Sequence, residues 1–164
     1  MGEAGLSADN LTRPFIKANG DEIPEHLGVA GNTYTILLSG KDTGGRFCLI
    51  DMHVPPGGGP PPHRHDFEET FSILVGEIEA TVRGETVNVP ANAPHQFRNV
   101  STHPARLLCF CAPAGQEEFF REVGVLVPTR TAAPPELNDE AKAALRKKMV
   151  ELAPKYRTEL LPKA

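Results

Sequence analysis

The chain has no apolar run that could cross a membrane. The longest, Leu107 to Ala112, stops at Pro113, far short of the roughly 18 residues a span needs. It has no basic excess: 17 Lys and Arg against 21 Asp and Glu give a net charge of -4, which argues against a nucleic-acid footprint. Cysteine is scarce. Cys48, Cys109 and Cys111 make an odd count with no Cys-x-x-Cys spacing, so neither a disulfide framework nor a cysteine zinc site is indicated. Cys109 and Cys111 fall inside an apolar run and read as small buried hydrophobes. The opening MGEAGLSADN has neither a basic start nor an apolar centre, so no secretory signal is read there. With reduced thiols, the expected location is the cytoplasm. Asn10-Leu11-Thr12 and Asn99-Val100-Ser101 match the glycosylation pattern, but without secretion they are chance matches. Ser39-Gly40-Lys41-Asp42 lacks the upstream glycine and the hydroxyl residue of a phosphate-binding loop, and no serine nucleophile elbow is present. There is no internal repeat and no sign of a second domain.

What the chain does have is punctuation. Sixteen prolines and 15 glycines separate short apolar stretches, as in an all-β domain with many turns. Strands are expected near 32–39, 46–54, 69–75, 77–83, 86–89, 95–99 and 105–112. Ile78, Ala80 and Val82 alternate with Glu77, Glu79 and Thr81 in the strand manner. Short strands at this spacing suggest a sandwich or barrel. Three segments follow: an irregular stretch over 1–31, a β-barrel over 32–114, and a helical extension over 115–164. In the extension, Gly115 to Gly124 reads as a short helix. A second helix is capped by Asn138 and runs to about Leu152, stopped by Pro154. Its stripe of Ala144, Leu145, Met149 and Leu152 suits packing on the barrel or on a partner.

The chemistry concentrates in Gly57 to Glu69. His63 and His65 are two apart, so on a strand they share a face. The same parity adds Phe67, Glu69, Phe71 and Ile73 and turns Glu68 away. A carboxylate among apolar neighbours is costly unless it is paired or bound to a cation, and two imidazoles with one carboxylate suit a transition metal. A second stretch, Gly84 to Asn99, places His95 at the start of a strand. His53, on the strand leading into the first stretch, is either a cavity residue or simply packed. His26 and His103 read as surface residues.

Together the two stretches resemble the two motifs of the cupin family. Gly57, His63, His65, Glu69 and Gly76 meet every spacing of the first. Gly84, Pro90, Asn92, His95 and Asn99 meet the second, with Asn92 where the family prefers glycine. That glycine serves a turn with positive φ, and Asn tolerates such a turn next best. The resemblance implies a jelly-roll barrel, also called a double-stranded β-helix, carrying a C-terminal helical extension here. It implies one divalent transition metal ion per chain (Fe, Mn, Ni, Co, Cu or Zn) held by His63, His65, Glu69 and His95. Three imidazoles and one carboxylate leave positions free for water, substrate or dioxygen.

The fold does not set the activity. The GGGPPPHRH entry, the EETF continuation and the Gln-Glu-Glu-Phe-Phe helix after the last strand resemble small single-domain cupins grouped with quercetin dioxygenase. That implies a metal-dependent oxygenase acting on a small phenolic or enol-type substrate, with Glu69 serving as base as well as ligand. Phe71, Ile73 and Phe97, with His53, are the candidate pocket wall, and barrel core is the plainer reading of the first three. The alternatives are a metal-dependent isomerase or lyase of a hydroxy-carbonyl compound, and a non-catalytic small-molecule-binding cupin. The resemblance also implies a homodimer.

Overall fold

The computed structural model describes residues 24–80 and 86–162. The strand end and turn expected around 81–85, Gly84 of the second motif, and most of the segment expected to be irregular lie outside them. Antiparallel strands build a jelly roll. Its largest sheet contains β1 (His26–Val29), β2 (Asn32–Leu38), β3 (Cys48–Val54), β5 (Glu68–Val75), β7 (Thr86–Val89), β9 (Ala105–Ala112) and β10 (Val125–Leu126). Their order is β10-β1-β2-β3-β9-β5-β7. The short strand β4 (His63–His65) pairs with β11 (Thr158–Leu160), and β6 (Glu79–Ala80) pairs with β8 (Phe97–Arg98).

Alternation explains the core. On β3, Ile50, Met52 and Val54 are buried. On β9, Leu107, Cys109 and Cys111 are buried while Phe110 is exposed. β3 and β9 pair in register from Cys48↔Cys111 to Val54↔Ala105, so their inward faces form one apolar floor. Gly76 ends β5 with a φ of 85°. A Cβ there would come within 2.9 Å of the Ala105 Cα, so only glycine fits the crossing.

Two segments differ from the sequence reading. Within the stretch expected to be irregular, His26–Val29 is a strand. It makes a hairpin with β2 through Ala30 and Gly31, both at positive φ, the geometry that suits a two-residue turn. The extension is not purely helical either. α1 (Gly40–Thr43) is a short turn within the β2–β3 connection, capped by Ser39 and Asp42. Helix α2 (Gln116–Val123) lies within the expected Gly115–Gly124 stretch, and α3 (Asp139–Leu152) starts where its cap predicts, Asn138 accepting from the Ala141 N–H at 2.8 Å. But β10 adds to β1, and β11 pairs with β4. These strands are only two and three residues long, too short for periodicity to reveal. No helix among the described residues is long and apolar enough to cross a membrane.

Candidate metal centre

His63, His65, Glu69 and His95 come together as one buried group whose ligating atoms all lie within 4.8 Å of one another. They arrive on three elements. β4 carries both His63 and His65, β5 carries Glu69, and His95 joins β4 through a bridge. In that bridge the His63 N–H donates to the His95 carbonyl at 3.0 Å and the His95 N–H to the His63 carbonyl at 2.9 Å. Between His65 and Glu69 the chain changes pairing partner, yet strict in–out alternation runs from His63 through Glu69. Phe67 is buried and stacks on His65 with ring centroids 3.9 Å apart. Asn92 takes a φ of 67°, the turn conformation its place in the motif requires. Its N–H donates to the His65 carbonyl at 2.6 Å, tying the second motif to the first.

Each imidazole is aimed by its own backbone. The Nδ1 of His63 lies 2.9 Å from the Pro61 carbonyl, that of His65 2.8 Å from Phe67, and that of His95 2.9 Å from Ala93. A carbonyl only accepts, so each Nδ1 carries the proton and each Nε2 turns to the centre. This is the outer-shell arrangement that fixes metal-ligating histidines. Glu69 Oε2 lies 2.9 Å from His65 Nε2 and 3.1 Å from His95 Nε2. Two donors about 2.1 Å from a common ion at right angles stand about 3.0 Å apart, so the donor set and its spacing fit a small transition-metal ion.

Burial lowers the His63 pKa to about 4, with His95 adding to the effect. For Glu69, burial pushes upward but is outweighed by the His65 and His95 imidazoles, which donate from Nε2 when they carry a second proton and hold the carboxyl well below its usual range. His95 is also opposed by burial, and its bonds to Glu69 and the Ala93 carbonyl carry it upward. The carboxylate is thus charged inside an apolar barrel, where its charge is balanced either by a second proton on these imidazoles or by a metal ion in their place.

Glu69 has a second side. Its Oε1 accepts from Cys109 Sγ at 3.1 Å and Cys111 Sγ at 3.7 Å. Burial pushes the Cys109 thiol up to about 12. The cysteines are buried, as their apolar context suggests, but their contact with Glu69 follows only from the Glu69↔Cys111 register.

Phe71 and Phe97 wall a cavity of about 50 Å³ with His63 and Glu69. Ile73 lines a neighbouring cavity of about 30 Å³, shared with Phe71, Phe97 and His95. His53 does not join them. It shares the outward face of β3 with Asp51, opposite Met52 and Val54. The parity that buries its neighbours turns it away, so its candidacy as a pocket residue is corrected. Asp51 on that face is clamped by Arg106 and Arg130. His26 is half-buried and bonded to Thr35 at 2.7 Å. Asn99 holds the second motif's loop, donating to the Val54 and His103 carbonyls at 2.9 and 2.7 Å. The larger cavity also has walls that the sequence reading missed: Asn32, Tyr34, Gln116, Thr158 and Leu160. Asn32 and Tyr34 are polar groups at inward positions of a strand, and that was the available signal. An open groove along Pro60 to Pro62, Gln96, Arg98 and Leu161 reaches His95 from outside.

The fold and this cluster define a class: a jelly-roll barrel with a buried three-histidine, one-carboxylate group suited to a metal. Residues 50–111 match the Cupin domain family, Cupin_2, which together with the jelly-roll fold supports a cupin superfamily protein. It is similar to the quercetin 2,3-dioxygenase of Bacillus subtilis (strain 168), 26% identical over 120 residues, covering 68% of this chain and 35% of that protein. The matched part therefore spans about a third of that dioxygenase's length. Among solved structures, a sugar phosphate isomerase from the cupin superfamily of Silicibacter pomeroyi superposes with a TM-score of 0.50 at 22% identity, covering 61% of this chain and 77% of its own. The polyketide cyclase RemF of Streptomyces resistomycificus superposes with a TM-score of 0.46 at 22% identity, covering 81% and 89%.

Proposed function

We propose that this cupin is a mononuclear metal-dependent oxygenase acting on a compact enol-type substrate. The observation that carries the reading is the charged Glu69 carboxylate, buried at the meeting point of three inward-turned Nε2 atoms and facing an apolar cavity. Similarity to a quercetin dioxygenase supports dioxygen chemistry. The cavity narrows the substrate. An aromatic ring needs roughly 150 Å³ and the space beside Glu69 is about 50 Å³, which favours a small enol over a phenol.

A divalent transition metal held by His63, His65, Glu69 and His95 supplies Lewis acidity and, when redox-active, an electron route to dioxygen. The chain does the rest. The three carbonyl-anchored imidazoles keep a fixed donor geometry. Glu69 takes the enol proton on its carboxylate. Phe71 and Phe97 exclude water from the reacting atoms.

The test is dioxygen uptake by metal-loaded protein with hydroxyacetone, catechol and quercetin. Uptake is expected with hydroxyacetone and not with quercetin. No uptake with any of the three would sink the oxygenase reading. A second reading, isomerisation of a hydroxy-carbonyl compound, is favoured by the polar groups Asn32, Tyr34 and Gln116 in the same cavity. It is separated from the first by turnover without dioxygen.

A further inference from the structure

Two residues that line the cavity beside Glu69 each carry a buried amide oxygen without a protein partner. Asn32 is 1% exposed and Gln116 is 5% exposed, and neither Asn32 Oδ1 nor Gln116 Oε1 receives a hydrogen bond from any described residue. Both side chains line the cavity that holds His63 and Glu69. A buried acceptor without a donor costs about 1–3 kcal/mol, and such groups mark places where the fold has been shaped for something else. Tyr34 lines the same cavity. Burial, reinforced by the nearby Cys109 and Glu69, raises its pKa, so its hydroxyl keeps the proton and can donate.

The two amides reach the cavity from separate parts of the chain. Asn32 opens β2, where its Nδ2 donates to the Val29 carbonyl at 3.4 Å, and its Oδ1 lies where a Cβ on Gly58 would come within 2.5 Å. Gln116 opens α2. Around them the wall is apolar: Met52, Phe71, Phe119, Phe120 and Leu160. A few polar groups in an apolar pocket orient a small ligand.

We infer that Asn32, Tyr34 and Gln116 form a specificity subsite that selects a ligand carrying a hydrogen-bond-donating hydroxyl next to a carbonyl or enol oxygen. Gln116 Oε1 accepts from the hydroxyl, Tyr34 donates to an oxygen of the same molecule, and the Asn32 side chain, hydrogen-bonded to Tyr34, positions it. The inference rests on the reading that the cavity beside Glu69 holds the substrate. It names the substrate class as a compact α-hydroxy-carbonyl compound or its enol. It does not depend on which reaction follows.

The test compares hydroxyacetone with butan-2-one, in which a methyl replaces the hydroxyl. Binding to the full-length chain is followed by NMR chemical-shift titration, without dioxygen turnover, so the result is readable whether or not the oxygenase reading holds. Wild-type protein is expected to prefer hydroxyacetone roughly tenfold, the worth of about one hydrogen bond. In Gln116→Met, which removes the acceptor and keeps the length, the preference is expected to vanish. That variant's unliganded Tm is expected to rise by about 2–4 °C, because an unsatisfied buried group has gone. Tyr34→Phe keeps the ring contact with Phe120, 4.7 Å between centroids, and is expected to weaken hydroxyacetone binding several-fold. It carries the test if Gln116→Met does not fold. No saturable shift in wild type, equal binding of the two compounds, or a preference that survives in both variants overturns the inference. A fall in Tm for Gln116→Met does the same, since it shows Oε1 to be serving the fold, through an internal water for example.

Discussion

Thr158 stands directly opposite His65 in an antiparallel pair, and Leu160 stands opposite His63. The strand that carries two of the four candidate ligands is therefore held from outside by a segment 93 residues further along the chain. The Leu161 N–H extends the grip, donating to the Pro62 carbonyl at 2.8 Å. Arg64–Glu159 and Arg157–Asp66 ion pairs at 2.6 Å flank it, but they are half-exposed and contribute little. Ending the chain after Pro154 is expected to lower the Tm by several degrees and to weaken metal binding at least tenfold. Differential scanning fluorimetry and a chelator competition measure the two effects. Unchanged metal affinity would mean that the His63–His95 bridge orients β4 alone.

Elemental analysis of the purified protein is expected to give about one divalent transition metal per chain. His63→Ala and His95→Ala are each expected to bring this close to zero, since losing one ligand of a four-ligand set removes both a donor and the ordering of the rest. Glu68→Ala is the control. Glu68 is exposed and bonds Asn88 at 2.9 Å on the outer face, so its loss is expected to leave metal content intact. Metal loss in that variant would overturn the assignment of Glu69.

The metal-free protein is expected to lose stability as pH falls from about 6.5 towards 4. Burial holds His63 at about 4 when folded, against 6.5 in the unfolded chain. Between these values the unfolded state takes up a proton that the folded state refuses, so stability falls with pH. The size is on the order of 3 kcal/mol for His63 alone. Glu69, held low, acts in the same direction at more acidic pH, while His95, held high, opposes the loss. Urea midpoints of chelated protein at pH 7, 6 and 5 would show it. A midpoint that rises on acidification contradicts the account.

Native Cys48, Cys109 and Cys111 are expected to resist a thiol reagent such as DTNB at pH 8 and to react as three after unfolding in urea. All three are fully buried, and Cys109 is pushed up to about 12, so little thiolate forms or meets solvent. Fast reaction of even one thiol in the folded protein would show the barrel floor to be open.

Much of this site is legible in the sequence. The spacing of His63, His65, Glu69 and His95 resembles the cupin motifs, and the period of two chose Glu69 over Glu68. That inference holds because side-chain direction in an extended chain is a local property, and it survived even the change of strand between His65 and Glu69. The Asn138 cap and the short helix between Gly115 and Gly124 were legible for the same local reason. His53 was ambiguous because its own parity says which neighbours share its face but not which face meets the cavity.

What the tertiary structure decided is everything that depends on register between distant segments. Cys109 and Cys111 look like plain core residues until β9 is laid beside β5 and brings them to Glu69. Asn32 and Tyr34 show in the sequence only as polar groups at inward strand positions, and Gln116 not at all, until packing closes them into one cavity. Thr158 and Leu160 join the site only because β11 finds β4. By itself the sequence determined the fold class and the four convergent side chains, because periodicity and motif spacing are written along the chain. The size of the cavity, its unpartnered amides and the strand that braces it arise from contacts between residues far apart in sequence, which no local pattern encodes.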